Sequence, residues 1–337
     1  AVVCDQAEVM SITAPHVDNV YGVENIEKYA FELVQLVYAD MLAGLSLVGI
    51  TGTNGKTSTA YFACQLFKGL GAKTGYLGTI GYGVVGEELR PARNTTPDFV
   101  TLYRNLASLA HSGCRRVVME VSSHGIALNR IRGLDFETLV FTNLSQDHLD
   151  FHGDMEAYEA AKLSLFYNYD SANWVVNADD AAGAKLIESG MRSKSINVSA
   201  YSRQQAGRVG YVGYQVTGGG VLVVDMVDAE SKHIAVEVNA QIDGKYNMEN
   251  LLCAMLICHV SGYAIEEIRE LAAGITPVPG RMQCVKNKSG VKVCVDYAHT
   301  PAGMDVVMRD DVLMNDQVSR TWCVFGCGGD RDKSKRA

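Results

Sequence analysis

The residues with the clearest chemical meaning lie in LSLVGITGTNGKTSTA, positions 45–60. An apolar run, Leu45 to Thr51, leads into Gly52-Thr53-Asn54-Gly55-Lys56-Thr57, and an apolar-periodic stretch, Ala60 to Leu70, follows. A buried strand, a glycine loop, a Lys-Thr pair and a helix together form a phosphate cradle. The glycines let backbone N–H groups turn toward an anion, and the helix N-terminus adds the positive end of its dipole. Lys56 can set a charge beside β- and γ-phosphates, and the Thr57 hydroxyl can ligate Mg²⁺. The strict pattern G-x-x-x-x-G-K-[ST] needs glycine where Ile50 stands, so this is a P-loop variant. The competing reading is a packing turn with a solvated lysine.

Three more apolar runs end in polar residues: Glu120 to His124, Asn143 to His148, and Asp296 to His299. In open α/β sheets the binding crevice lies at the carboxyl ends of strands. Glu120 closes the run Val117-Val118-Met119, where an unpaired carboxylate is costly. Its partner is either nucleotide-held Mg²⁺ or a hydrogen bond from a neighbouring loop. His148 could ligate metal, with Asp147 or Asp150 orienting its ring, or be a satisfied core histidine. Lys162 follows Ala160 and Ala161 on a helix that opens at Asp154, and spacing alone leaves it a snorkelling surface residue.

These residues need an α/β frame. From Leu45 strands and helices alternate, which predicts a mostly parallel sheet. Strands are expected at Lys73 to Thr79, Arg116 to Val121, Thr138 to Leu144, Trp174 to Ala178 and Ser195 to Tyr201, with a loop at Gly81 to Pro91. Thr96 as N-cap and Pro97 at N1 predict a helix to Ser112, and Asp154 caps one through Asn168. The alternating 209–239 segment predicts antiparallel hairpins forming a small side sheet. Helices are expected at Tyr246 to Ser261 and Ile265 to Ala273. Pro277-Val278-Pro279-Gly280 marks a boundary. A hairpin, Met282 to Lys286 with Val291 to Tyr297, then a helix after Pro301 and a strand at Thr321 to Phe325 are expected beyond it. Residues 1–44 supply a short strand, a loop at Pro15 and a helix from about Glu24 to Leu42, too little for a domain. Both ends are expected to be cut.

With 337 residues, two or three domains are expected. A net charge of −8 argues against a nucleic-acid-coating protein. Nine cysteines include no C-x-x-C pair. Cys4, Cys64, Cys114, Cys253, Cys258, Cys284 and Cys294 lie in or near apolar runs and read as reduced core thiols. Cys323 and Cys327 flank a glycine turn without zinc partners. A reducing cytoplasm fits. No apolar stretch reaches membrane-span length, and no secretory signal opens the chain.

GITGTNGKT, NTTPD, EVSSHGIALNR, FTNLSQDHLDFHGDMEAYEAAKLSLF, GKYNMENLLCA, PGRM, VDYAHTP and VFGCGGDRDKSKR occur in this order. Together they resemble the Mur ligase family, from Leu47 onward, and most of all its branch that adds the third residue of the peptidoglycan stem. The resemblance implies residues 1–44 as a remnant of a uridine-binding domain, 45–279 as a central ATP-binding domain, and 280–337 as the start of a Rossmann-like amino-acid-binding domain. It implies an ATP- and Mg²⁺-dependent amide synthesis. A UDP-N-acetylmuramoyl dipeptide and a free amino acid, meso-diaminopimelate or L-lysine, are joined through an acyl phosphate by a monomer. By resemblance Gly52, Thr53, Asn54, Gly55, Lys56, Thr57, Ser58, Asn247, Asn250, Arg281 and Asp296 bind ATP. Thr57, Glu120, His148 and a carbamylated Lys162 hold metal, and His299 joins Lys56, His148 and Lys162 in catalysis. Asn94, Thr95, Thr96, Ser122 and Arg130 grip the UDP-sugar, and Arg331 reaches the amino acid. The sequence departs from the family at Leu128 and Gln283 and along Tyr38 to Ser46, and it lacks the D-N-P-R-type motif that selects the amino acid. A folylpolyglutamate synthase, another Mur ligase, and a non-catalytic nucleotide-binding fragment are the alternatives.

Overall fold

The computed structural model describes residues 2–5, 20–190, 196–203, 210–217, 221–227, 233–240, 242–285, 287–288, 291–309 and 320–326. It opens with β1 (Val2–Asp5), β2 (Val20–Val23) and α1 (Ile26–Leu42), the two strands paired in parallel. There follow β3 (Ser46–Thr51), α2 (Lys56–Gly69), β4 (Thr74–Gly78), β5 (Gly81–Val84), α3 (Phe99–His111), β6 (Arg116–Glu120), α4 (Ser123–Ala127) and β7 (Phe136–Phe141). Next come α5 (Leu149–His152), α6 (Met155–Asn168), β8 (Ser171–Asn177), α7 (Ala181–Gly190), β9 (Asn197–Ser202), β10 (Tyr211–Thr217), β11 (Val221–Val227) and β12 (His233–Asn239). The last are α8 (Lys245–Val260), α9 (Ile265–Ala272), β13 (Gln283–Val285), β14 (Val293–Val295) and α10 (Pro301–Met308).

Among the described residues ten strands form one sheet, ordered β12-β11-β10-β9-β8-β7-β3-β6-β4-β5. The strand feeding the P-loop lies inside it, parallel to β6 on one side and β7 on the other. Ile50 pairs with Glu120 and Thr51 with Phe141, so three strand ends open on one crevice. The antiparallel strands expected over 209–239 are present and continue the main sheet, because β10 pairs in parallel with β9. A separate antiparallel pair, β13 with β14, follows the proline boundary.

Both sheet faces are covered, as a parallel sheet requires. On one face α2, α8 and α9 pack with Val48, Ile50, Val118, Val140 and Val175. Met248 and Leu251 to Cys258 of α8 are all buried, so this helix is apolar around its circumference. On the other face α3, α6 and α7 cover Leu47, Val117, Met119, Leu139 and Phe141. α1 docks on α3 through Phe31 against Phe99 and Tyr103, and Arg132 stacks on Phe31 and Phe99.

Four expectations change. The Gly81 to Pro91 segment contains strand β5, which pairs antiparallel with Gly75 to Gly78 of β4. The α3 cap is Asp98, accepting from Thr101 N, because the Thr96 hydroxyl is engaged at the end of β6. No strand forms over Thr321 to Phe325, where Trp322, Val324 and Phe325 are exposed. An apolar run becomes a strand only where a neighbouring edge takes its backbone groups. Cys64, Cys114, Cys253 and Cys258 are buried as expected, but Cys284 is exposed and Cys294 partly so, since a two-stranded ribbon leaves a face uncovered.

Candidate active site

The loop between β3 and α2 is fixed by two glycines. A Cβ on Gly52 (φ +144°) would stand 1.9 Å from Thr142 Oγ1, and one on Gly55 (φ +87°) 2.4 Å from Asn250 Oδ1. The end of β7 splints the loop: Thr53 N donates to Asn143 O (2.8 Å), Asn54 N to Asn143 Oδ1 (2.9 Å), and Thr142 Oγ1 to Asn54 O (2.6 Å). Lys56 Nζ curls back to donate to Gly52 O and Thr53 O, each at 2.8 Å. Burial lowers its pKa, while Glu120 and Asp147 pull it up. Ser58 is buried in the first turn of α2.

On one side of the loop stands Glu120, fully buried. Its Oε1 accepts from Tyr76 Oη (2.6 Å) and Thr79 N (2.9 Å); its Oε2 accepts from Thr57 Oγ1 (3.1 Å) and Thr79 Oγ1 (3.0 Å). The loop hydrogen bond weighed for Glu120 is therefore real. Tyr76 and Thr79 carry no motif that marks them; only the end of β4 beside β6 could have drawn attention to them. Burial, and Glu120 beside it, push Tyr76 well above the usual phenol range, so it stays a donor. Thr57 and Glu120 offer two hard oxygens side by side, a set that suits Mg²⁺ completed by substrate phosphates and water. Among the described residues no three His, Cys, Asp or Glu gather into a self-sufficient metal cage, and such an ion does not need one.

Lys162 lies on the other side. It is buried, against the expectation from spacing, and its Nζ donates to Gly52 O (2.8 Å) above the Tyr158 ring (4.5 Å). Burial, helped by Lys56, holds its pKa well below the usual lysine value. As an ammonium it would repel a cation bound nearby. His148 (φ +55°) has Nε2 3.5 Å from Asp147 Oδ2, which identifies Asp147 rather than Asp150 as its partner. Burial lowers His148 to about 4 despite Asp147, so near neutral pH its imidazole is uncharged with a lone pair free for a cation. His124 and His152 pack in the same cluster, His124 edge-on to His148 at 4.7 Å.

The segment after the proline boundary reaches the same place. Arg281 Nη2 donates to Thr57 Oγ1 (3.0 Å) and its guanidinium stacks on Tyr297 (4.2 Å). Asp296 accepts from Met282 N (2.7 Å) and Tyr246 Oη (3.1 Å). His299 Nε2 lies 3.7 Å from Asp147 Oδ2. Asn247 and Asn250 are buried: Asn247 Nδ2 donates to Asp243 O, and Asn250 Oδ1 accepts from Thr59 Oγ1 of α2. Thr95 meets Thr79, Thr96 bonds Glu120 O and Ser122 N, Ser122 caps α4, and Arg130 Nη1 donates to Thr96 O, while Asn94 is exposed nearby in the chain. Arg331 lies outside the described residues.

A mostly parallel sheet with this loop at its centre is the fold of Mur ligases and folylpolyglutamate synthases. The Mycobacterium tuberculosis folylpolyglutamate synthase complexed with ADP superposes with TM-score 0.64 at 18% identity, over 83% of this chain and 68% of that one. The Mur ligase middle domain matches residues 50–258 and the Mur ligase glutamate ligase domain residues 280–337, so the chain belongs to the Mur ligase family. It is 40% identical over 292 residues to the UDP-N-acetylmuramoyl-L-alanyl-D-glutamate–2,6-diaminopimelate ligase of Chromobacterium violaceum, covering 87% of this chain and 58% of that protein. The Bacillus cereus ligase of that name is 36% identical over 93% of this chain and 63% of its own. A solved structure of such a ligase superposes with TM-score 0.70 at 30% identity, over 96% and 65% of the two chains. The chain thus spans about three fifths of the curated relatives it matches (58% and 63%).

Proposed function

We propose that the protein is an ATP-dependent ligase that adds 2,6-diaminopimelate, as the third residue, to UDP-N-acetylmuramoyl-L-alanyl-D-glutamate. One observation carries this reading: Arg281, from beyond the proline boundary, closes on the Thr57–Glu120 oxygen pair of the P-loop. Two segments meeting on one phosphate site suit a reaction that must hold a nucleotide in line with a second substrate. A carboxylate oxygen of the dipeptide attacks the γ-phosphorus and ADP leaves, giving an acyl phosphate. The amine of the amino acid then attacks the acyl carbon, phosphate leaves with the C–O bond electrons, and the nitrogen loses a proton.

Lys56 turns from its own loop to the phosphates and balances their charge, while Arg281 steadies the Thr57 side. Thr57 and Glu120 hold Mg²⁺, which when bound neutralises developing phosphate charge. His148, neutral and oriented by Asp147, offers a further ligand, and His299 joins it through that carboxylate. Lys162 is carbamylated in this reading. Its depressed pKa leaves a neutral amine whose lone pair bonds to CO₂ carbon, and loss of the N–H proton gives an anion. That anion pairs with Lys56 instead of repelling it. Thr95, Thr96, Ser122, Arg130 and Asn94 face the UDP-sugar, Asn247, Asn250 and Asp296 the adenosine end, and Arg331 the amino acid. Residues 45–279 form the ATP domain, 280–337 begin the amino-acid domain, and 1–44 belong to the uridine domain. Among the described residues no helix is long and apolar enough to cross a membrane, and the proposed setting is the cytoplasm.

ADP release from the purified protein tests this. Turnover is expected only with the UDP-muramoyl dipeptide and 2,6-diaminopimelate together. Turnover with L-lysine instead would reassign the amino acid. Turnover with a folate and glutamate would replace the reading by the synthase one, and ATP binding without turnover on any pair would favour a non-catalytic fragment.

A further inference from the structure

We propose that Cys284 and Cys294 form a reversible disulfide site that reacts with low-molecular-weight disulfides. The two residues face each other in the β13–β14 register, and their sulfurs lie 3.0 Å apart. Directly opposed residues of an antiparallel pair have Cα atoms about 4.5–5.5 Å apart, inside the range a disulfide spans. Bond formation therefore needs side-chain rotation and little backbone movement. Access is open, because Cys284 is exposed and lines a cavity of about 520 Å³ with Asp243, Pro279 and Met282. Cys64, Cys114, Cys253 and Cys258 are buried, so a reagent discriminates between the two groups.

The order of events follows from the surroundings. Cys284 Sγ is tied up donating to Asp243 Oδ2, so the first attack is assigned to Cys294, whose sulfur faces it at 3.0 Å. The Cys294 thiolate attacks one sulfur of the external disulfide RS–SR, forming a mixed disulfide and releasing RS⁻. Cys284 then gives its proton to solvent and attacks the Cys294 sulfur, releasing the second RS⁻. Two protein thiols are oxidised and one external disulfide is reduced to two thiols. The new bond ends the hydrogen bond that Cys284 Sγ donates to Asp243 Oδ2 (3.1 Å), one tie between the hairpin and the residues ahead of α8. The hairpin keeps its other ties, Asp296 to Tyr246 among them.

Treatment of the purified protein with oxidised glutathione, blocking of free thiols, and tryptic mass mapping tests this. Lys286, Lys288 and Lys292 separate the two cysteines, so a disulfide joins two peptides. The expected result is one linked Cys284–Cys294 pair, lighter by two hydrogens and undone by dithiothreitol. In Cys284→Ser the glutathione stays on Cys294 as a mixed disulfide. Glutathione on exposed Cys323 while Cys284 and Cys294 remain free, or separate adducts on both without linkage, would overturn the proposal.

Discussion

Two buried charges flank the P-loop, and they are treated differently. Glu120 has four donors on its two oxygens. Lys162 donates to the Gly52 carbonyl and lies over the Tyr158 ring. A carboxylate so surrounded is fixed in orientation, with its oxygens set for a cation. A buried ammonium with few acceptors beside another lysine is costly as it stands. The Glu120 side is finished by the fold, whereas the Lys162 side calls for further chemistry.

The hardest way to break this contrast is to remove the charge between them. Lys56 sees Glu120, Asp147 and Lys162. Lys56→Ala is expected to lower turnover by about 10³-fold, the scale of losing a preorganised charge stabiliser. Near-normal ADP release from that variant would remove Lys56 from the chemistry.

Lys162→Ala tests the unfinished side. Activity is expected to fall by about 10²-fold, and formate or acetate to restore part of it by taking the carbamate's place. No rescue at normal ATP affinity would count against the modification. Stability against pH gives a second readout. For an unmodified Lys162 the folded pKa lies below the usual 10.5, so the unfolded chain binds more protons in between. Stability would then rise with pH from the lowered value up to 10.5 and level off above it, and Lys162→Met would abolish that slope. A carbamate is lost as CO₂ on unfolding, so a modified Lys162 would make stability depend on dissolved CO₂ as well as pH, and a stability unchanged by CO₂ removal would mean an unmodified amine.

How far the sequence revealed this contrast depends on what each residue needs. Glu120 was legible because a carboxylate closing an apolar strand demands a partner, and the P-loop because glycine, lysine and threonine spacing has a local cause. Tyr76 and Thr79 were not, since their role depends on β4 lying beside β6, a pairing set by tertiary packing. Lys162 was misplaced by spacing because helix periodicity does not say how deeply a helix sits. Asp98 took the cap from Thr96 for a similar reason, as the hydroxyl found a better partner across the sheet.

A smaller effect is expected where the two sequence segments join. Arg281→Ala removes a charged donor to Thr57 and should raise KM for ATP about 10- to 100-fold, in line with about 1.5–3 kcal/mol for a hydrogen bond involving a charged group. An unchanged KM would mean that the hairpin merely rests on the loop.

The finest test compares two phenols. Tyr76 Oη donates to the Glu120 carboxylate, whereas Tyr158 Oη meets the neutral Thr53 hydroxyl at 3.1 Å. Both rings are buried, so Phe keeps the packing and removes only the hydroxyl. Tyr76→Phe should cost about 2 kcal/mol and Tyr158→Phe about 1 kcal/mol, because a bond to an ionised acceptor is worth more. Urea unfolding with unchanged m-values would measure both. Equal losses would mean that the Glu120 carboxylate is no stronger an acceptor than the Thr53 hydroxyl, and the asymmetry across the P-loop would then lie in Lys162 alone.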